Sequence, residues 1–277
     1  MELNWLQSLA FGLVSGLTDI LPVSSQAHQK LLLTFFGETG TIPVTRLVTH
    51  AAAFVTVLVC VWGQLGRIRR AQQTARMPRR RRNRPVDMTA LMDGKILTTA
   101  MIPTILVVLL GGAAFRTVGL PGLAVLCLVN AAVLYLPGVF PTADKDSRLV
   151  TPLEGLFMGL GAGVGAIPGM SSVGMSYSLG VLHGIDRQYM VHLSLLMHLV
   201  CTAGMMVFDV LDLVKLASFQ ASAADVIAWG AAALATAAGT LAAVRMLRGA
   251  AGRGGLTRWS FYSFGLALTA FIIYLMV

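Results

Sequence analysis

One short pattern occurs twice, about half a chain apart, and it limits the fold more than any other feature. Residues 11–25 read FGLVSGLTDILPVSS and residues 158–172 read MGLGAGVGAIPGMSS. At a constant offset of 147 positions, Gly12 pairs with Gly159, Gly16 with Gly163, Ile20 with Ile167, and Ser24-Ser25 with Ser171-Ser172. Each copy is apolar, carries glycines four apart, breaks at a proline and ends in two hydroxyls. Crossing a bilayer takes about 20 apolar residues, so neither run can span one. Interrupted hydrophobic segments at matching places in two halves point to a binding site between internal repeats. The working site is expected there.

Composition places the chain in a membrane. Apolar residues make up 56% of its 277 positions and charged residues only 12%, with a mean hydropathy of +0.76. That charge density is too low for an ordinary water-facing surface. Six stretches are long and apolar enough to span: 44–66, 94–115, 118–140, 189–210, 222–244 and 259–277. Residues 3–36 and 153–183 then form two re-entrant helical hairpins, each turning at its Pro/Ser tip. Non-helical backbone survives at that depth only when buried in protein or lining a wet cavity. The predicted fold is an all-α polytopic membrane protein: one membrane domain over 1–277, with inverted-repeat halves of about 1–140 and 151–277. The N-terminal MELNWLQ lacks a basic segment and a cleavage site, so insertion is expected to rely on the spans. Cys60, Cys127 and Cys201 lie singly in apolar segments, suggesting neither disulfides nor a thiolate metal site.

The arginines set the orientation. Nine fall between positions 67 and 84, in a predicted loop over 67–93, and Arg245, Arg248, Arg253 and Arg258 mark a second basic loop. The positive-inside rule puts both in the cytoplasm. Six spans and two same-side hairpins then leave both termini outside, with hairpins entering from opposite faces. The net charge of +9 is accounted for by topology and by anionic lipid headgroups, without a nucleic-acid partner.

The chemistry available lies around the tips. In the first, Asp19, Ser24, Ser25 and His28 follow one another, with Lys30 just beyond. Ionisable groups within a membrane are costly to bury, which makes them functional candidates. Ser24 or Ser25 can equally cap a helix start after Pro22. In the second tip, Gly169, Ser171, Ser172 and Ser176 form a small, hydroxyl-rich turn into a helix, where free N–H groups would cradle an anion. His50 and Arg46, at the outer start of the first span, could meet a phosphate entering from outside. Snorkelling to the interface is the competing account of Lys30 and Arg46. His192 and His198 are six apart on one span, do not share a face, and read as buried hydrogen-bonded histidines rather than a metal pair.

GLTDILPVSSQAH (16–28) resembles the first signature of the bacterial undecaprenyl-diphosphate phosphatase, or bacitracin-resistance, family, roughly E-G-[LIV]-[ST]-E-[FW]-[LI]-P-[VI]-S-S-[ST]-[GA]-H. PGMSSVGMS (168–176) falls where that family has P-G-x-S-R-S-[GA]-x-[ST]. The resemblance implies two opposed hairpins and six spans, often as a homodimer, in the bacterial cytoplasmic membrane with the site open to the outer side. It implies a substrate, undecaprenyl diphosphate, dephosphorylated to regenerate the carrier lipid of peptidoglycan synthesis. It also implies roles for Asp19 as the second acid, Ser25 and His28 as the polar pair, and Ser171 and Ser176 as phosphate-loop hydroxyls. A hydrolytic member would draw on a divalent cation, Mg or Ca.

Three positions depart from the signatures. The first glutamate is Ser15, the second is shortened to Asp19, and the phosphate-binding arginine is Ser172. Losing one such electrostatic donor commonly costs about 10²–10³ in turnover. These losses favour a protein that binds polyprenyl phosphate and recycles or translocates it, with weak or absent hydrolysis. The alternative is an active phosphatase using replacement cations such as Lys30, Arg46 or His50; a regulatory subunit ranks third.

Overall fold

A computed structural model describes residues 3–38, 42–115, 118–140, 144–146, 148–215, 221–251 and 255–276. Arg253, assigned above to the second basic loop, lies outside them. The described residues form ten α-helices and no strand. Helices α1 (Trp5–Ile20) and α2 (Ser25–Phe35) make the first hairpin. They are followed by α3 (Pro43–Arg76), α4 (Met88–Phe115) and α5 (Leu120–Val139). The order then repeats: α6 (Pro152–Val164) and α7 (Ser172–Leu182) make the second hairpin, followed by α8 (Arg187–Val214), α9 (Ala223–Ala251) and α10 (Arg258–Met276). Helices α3, α4, α5, α8, α9 and α10 are long and apolar enough to cross a membrane, so the chain is a polytopic all-helical membrane protein.

The glycine spacing explains how the halves interlock. A Cβ on Gly12 would lie 2.3 Å from the Ala232 carbonyl oxygen, and one on Gly16 only 2.2 Å from that of Thr236, so α1 sits backbone-to-backbone on α9. On α6, a Cβ on Gly159 would lie 2.2 Å from the Ala100 carbonyl oxygen of α4. Small residues are what permit such approach. One hydrogen bond appears in both places: Thr236 Oγ1 donates to the Gly12 carbonyl at 3.0 Å, and Thr104 Oγ1 to the Gly159 carbonyl at 2.9 Å. Each hairpin's first helix therefore packs on the second long helix of the other half.

Local signals start and stop the short helices. Asn4 with Gln7 and Thr151 with Glu154 form capping boxes at the starts of α1 and α6, satisfying N–H groups with no helical partner. Ser24 caps α2 by accepting from Ala27 N–H, and Ser171 caps α7 by accepting from Gly174 N–H. Gly169 turns the second tip at φ +97°, a conformation that L side chains adopt rarely.

The predicted loop over 67–93 begins later than expected. Helix α3 continues to Arg76, because Arg, Gln and Ala are good helix formers and nothing breaks the run before Pro78. Its extension packs Ile68 and Gln72 against Gly94 at the start of α4. Asp87 receives Ala90 N–H and pairs with Arg67, both at 3.0 Å, which together hold its carboxyl below the usual range. The largest core lies around α8 and gathers residues from both halves, among them Ile20, Val57, Met158, Val173 and Leu196.

Candidate functional site

The two hairpin tips meet inside the protein. Gly169 N–H donates to Ser24 Oγ at 2.8 Å, and Gln26 Nε2 to the Ala166 carbonyl at 2.9 Å. Asn130 of α5 joins both tips: its Nδ2 donates to the Pro22 carbonyl at 3.2 Å and its Oδ1 accepts Ser171 N–H at 3.1 Å. Asn130 is fully buried, and its amide satisfies backbone groups that the broken helices leave open. A small polar cavity lies against this junction. Asp19 and Ser25 from the first hairpin, Ser171 and Ser172 from the second, and His50 and His198 from α3 and α8 line it.

Three of these side chains form a line. Ser172 Oγ lies 2.6 Å from His198 Nδ1, and His198 Nε2 lies 3.0 Å from Asp19 Oδ2. Asp19 accepts only, so Nε2 carries a proton; in the neutral imidazole Nδ1 then accepts the Ser172 O–H, an assignment made from the hydrogen-bond network. Thr202 Oγ1, 3.1 Å from Nε2, completes the ring's surroundings. Hydroxyl, imidazole and carboxylate in this order are the arrangement that activates a serine oxygen and stabilises the imidazolium formed when it loses its proton. The three come from α7, α8 and α1, and His198 and Ser172 are both buried.

A second group of charges borders the cavity. His50 Nδ1 donates to Asp209 Oδ2 at 2.5 Å, and Arg46 Nη2 approaches Asp209 Oδ1 at 3.3 Å. Asp209 is only 1% exposed; neither it nor its pairing was singled out in the sequence.

The remaining expected site residues fall elsewhere. His28 donates Nδ1–H to the Ser24 carbonyl and accepts from Tyr262 O–H through Nε2, both at 2.8 Å, and its ring stacks on Tyr262. It does not line the cavity. Lys30 Nζ donates to the Val118 carbonyl, so its charge is tied to another backbone rather than to the tip. Ser176 is fully buried and bonds back to the Ser172 carbonyl at 2.7 Å within its own helix. Ser24 and Gly169 are bonded to each other. Ser25 faces the cavity, but its hydroxyl donates to the Ser15 carbonyl at 3.3 Å and accepts from Gln29 Nε2 at 3.2 Å rather than bonding an imidazole.

The donor set for a divalent cation is poor. Ser15 occupies the place of the first acid, Asp19 Oδ2 is engaged by His198, and among the described residues no three His, Cys, Asp or Glu side chains are placed to hold a metal ion together.

Interlocked repeats and hairpin tips closing on a buried polar cavity define a class: polytopic helical membrane proteins with an internal site. Within it, the chain belongs to the bacitracin resistance protein BacA family, whose model matches residues 8–269. Similar proteins include the undecaprenyl-diphosphatase of Nocardioides sp., 29% identical over 219 residues, covering 76% of each chain. That of Nocardia farcinica is 28% identical over 242 residues, covering 76% of this chain and 77% of its own. That of Carboxydothermus hydrogenoformans is 24% identical over 215 residues, covering 77% and 76%.

Proposed function

We propose that this protein hydrolyses undecaprenyl diphosphate to undecaprenyl phosphate and inorganic phosphate, with Ser172 as the nucleophile. The single observation that carries this reading is the Ser172–His198–Asp19 line; the names of the relatives supply the substrate. The expectation of weak or absent hydrolysis rested on Ser15 in place of the first glutamate, the shortened Asp19 and the missing arginine at position 172, each taken as a loss. The serine in its place has a base at 2.6 Å, so the position acquires a different chemistry.

In the first step Ser172 Oγ attacks the terminal phosphorus and passes its proton to His198 Nδ1. Asp19 holds the ring and stabilises the imidazolium. The bond between that phosphorus and the bridging oxygen breaks, and the lipid monophosphate leaves; with a second pKa of about 6 it needs no proton to depart. Water then attacks the phosphoserine and keeps its protons on the phosphate being formed, while the His198 imidazolium returns its proton to Ser172 Oγ as the Oγ–P bond breaks, releasing inorganic phosphate, free Ser172 and a neutral imidazole. The arginine-rich stretch supports a cytoplasmic placement of 67–84, the re-entrant hairpins and a site open to the outer side.

Phosphate release from undecaprenyl diphosphate by purified protein tests the reading. Ser172→Ala should lower kcat by about 10³-fold or more, as for loss of a nucleophile activated by a paired base. Ser25→Ala should cost about tenfold or less, since Ser25 has no base. Equal activity of the parent and Ser172→Ala, or the reverse ranking of the two variants, would refute it.

A further inference from the structure

A diphosphate headgroup brings more negative charge into the membrane than the line of Ser172, His198 and Asp19 can balance. Asp19 is itself an anion, and neither tip carries a cation toward the cavity, Lys30 and His28 being bonded elsewhere. The charges that face the cavity from other elements are few: Asp19 on α1, His50 with Arg46 behind it on α3, and His198 with Asp209 on α8.

Asp209 is shared between two bases. One oxygen takes His50 Nδ1–H at 2.5 Å and the other faces the Arg46 guanidinium at 3.3 Å. Arg46 alone would neutralise this carboxylate, so a second base on it has another use. A carboxylate on one ring nitrogen of a histidine fixes the ring's orientation and favours the protonated ring. With Nδ1 engaged by Asp209, Nε2 is the nitrogen His50 has left to offer the cavity it lines. Two cationic groups on one anion leave a net positive charge on that wall once the imidazole is protonated.

We infer that His50, held by Asp209 and backed by Arg46, is the phosphate-binding cation of the cavity. It stands in from α3 for the guanidinium missing at position 172, and its ligand class is the terminal phosphate of a lipid phosphate or diphosphate. The inference rests on the lipid-phosphate reading of the site, but it concerns binding and not turnover. Asp209 acts through His50 and is a positioning residue.

Calorimetric titration of detergent-solubilised Ser172→Ala protein, which blocks turnover, separates the two ideas. Farnesyl diphosphate is the charged probe and farnesol the uncharged one. Adding His50→Gln, whose amide keeps a hydrogen bond to Asp209 without the charge, should weaken farnesyl diphosphate binding about tenfold or more, as expected for a charge-assisted hydrogen bond. Asp209→Asn should weaken it in the same direction, and farnesol binding should be unchanged throughout. Undiminished farnesyl diphosphate affinity with His50→Gln overturns the inference, as does an equal loss for farnesol. No binding of farnesyl diphosphate by Ser172→Ala protein overturns it together with the lipid-phosphate reading. If His50→Gln weakens binding while wild-type protein releases no phosphate, the inference stands and the hydrolytic reading falls.

Discussion

Replacing His198 with glutamine isolates what the imidazole does. Both its ring nitrogens are used, at 2.6 Å to Ser172 and 3.0 Å to Asp19. Alanine would leave a buried hydroxyl and a partly buried carboxylate without their shared partner, and stripping a fully buried charge of its partner costs about 3–5 kcal/mol, an upper bound here. A loss of activity could then reflect unfolding. Glutamine keeps a donor for Asp19 and roughly the same volume but cannot take a proton from Ser172. Losing general-base catalysis costs about 10²–10⁴-fold, equivalent to about 3–5.5 kcal/mol on the barrier at 1.36 kcal/mol per decade. The loss should fall on kcat, with KM changed by less than about threefold, because the base acts in the transition state. The assay is colorimetric phosphate release from undecaprenyl diphosphate in detergent, with the melting temperature measured alongside. A folded His198→Gln protein with kcat within about threefold of wild type would refute the assignment.

Three further outcomes follow from the geometry. His28→Ala should leave kcat/KM within about threefold of wild type, because His28 is bonded to Ser24 and Tyr262 outside the cavity, and the same release assay checks it. Gly165→Ala should lower the melting temperature and abolish activity, since a Cβ there would lie 2.0 Å from Ser172 Cα; a displaced tip costs about 1–3 kcal/mol or more, and wild-type stability would contradict it. Cysteines placed at positions 80 and 82 should resist impermeant maleimide in intact cells and react with it once the cells are opened, and labelling in intact cells would invert the topology.

Much of the architecture was legible because it rests on length and hydropathy. The six long helices fall within a few residues of their predicted positions at most ends, and the glycine-spaced runs mark where α1 and α6 contact carbonyl oxygens of the other half. The end of α3 was misjudged because a helix leaving the membrane loses its apolar signal and not its helicity. His28 was grouped with the tip through proximity in sequence, and the structure places it outside the cavity. At about 100° per residue, it points about 110° away from the midpoint of Ser25 and Gln26, the cavity-facing pair of α2. His198 is buried and hydrogen-bonded as expected, but it was weighed against His192, whereas its partners are Ser172 and Asp19, 26 and 179 positions away. A signal for it was present: an imidazole in the apolar run LLMHLVC, in a membrane where an ionisable group is a functional candidate by default. Asp209 carried the same signal.

Hydrolysis through Ser172 requires that its hydroxyl become covalently phosphorylated. Wild-type protein mixed with undecaprenyl diphosphate labelled in its terminal phosphate, acid-quenched within the first turnover and mapped by peptide mass spectrometry, tests it most directly. The label should appear on the peptide carrying Ser172, accumulate before free phosphate, and vanish in Ser172→Ala. Label on Ser25 instead, or full-rate phosphate release with no labelled serine, would contradict the claim.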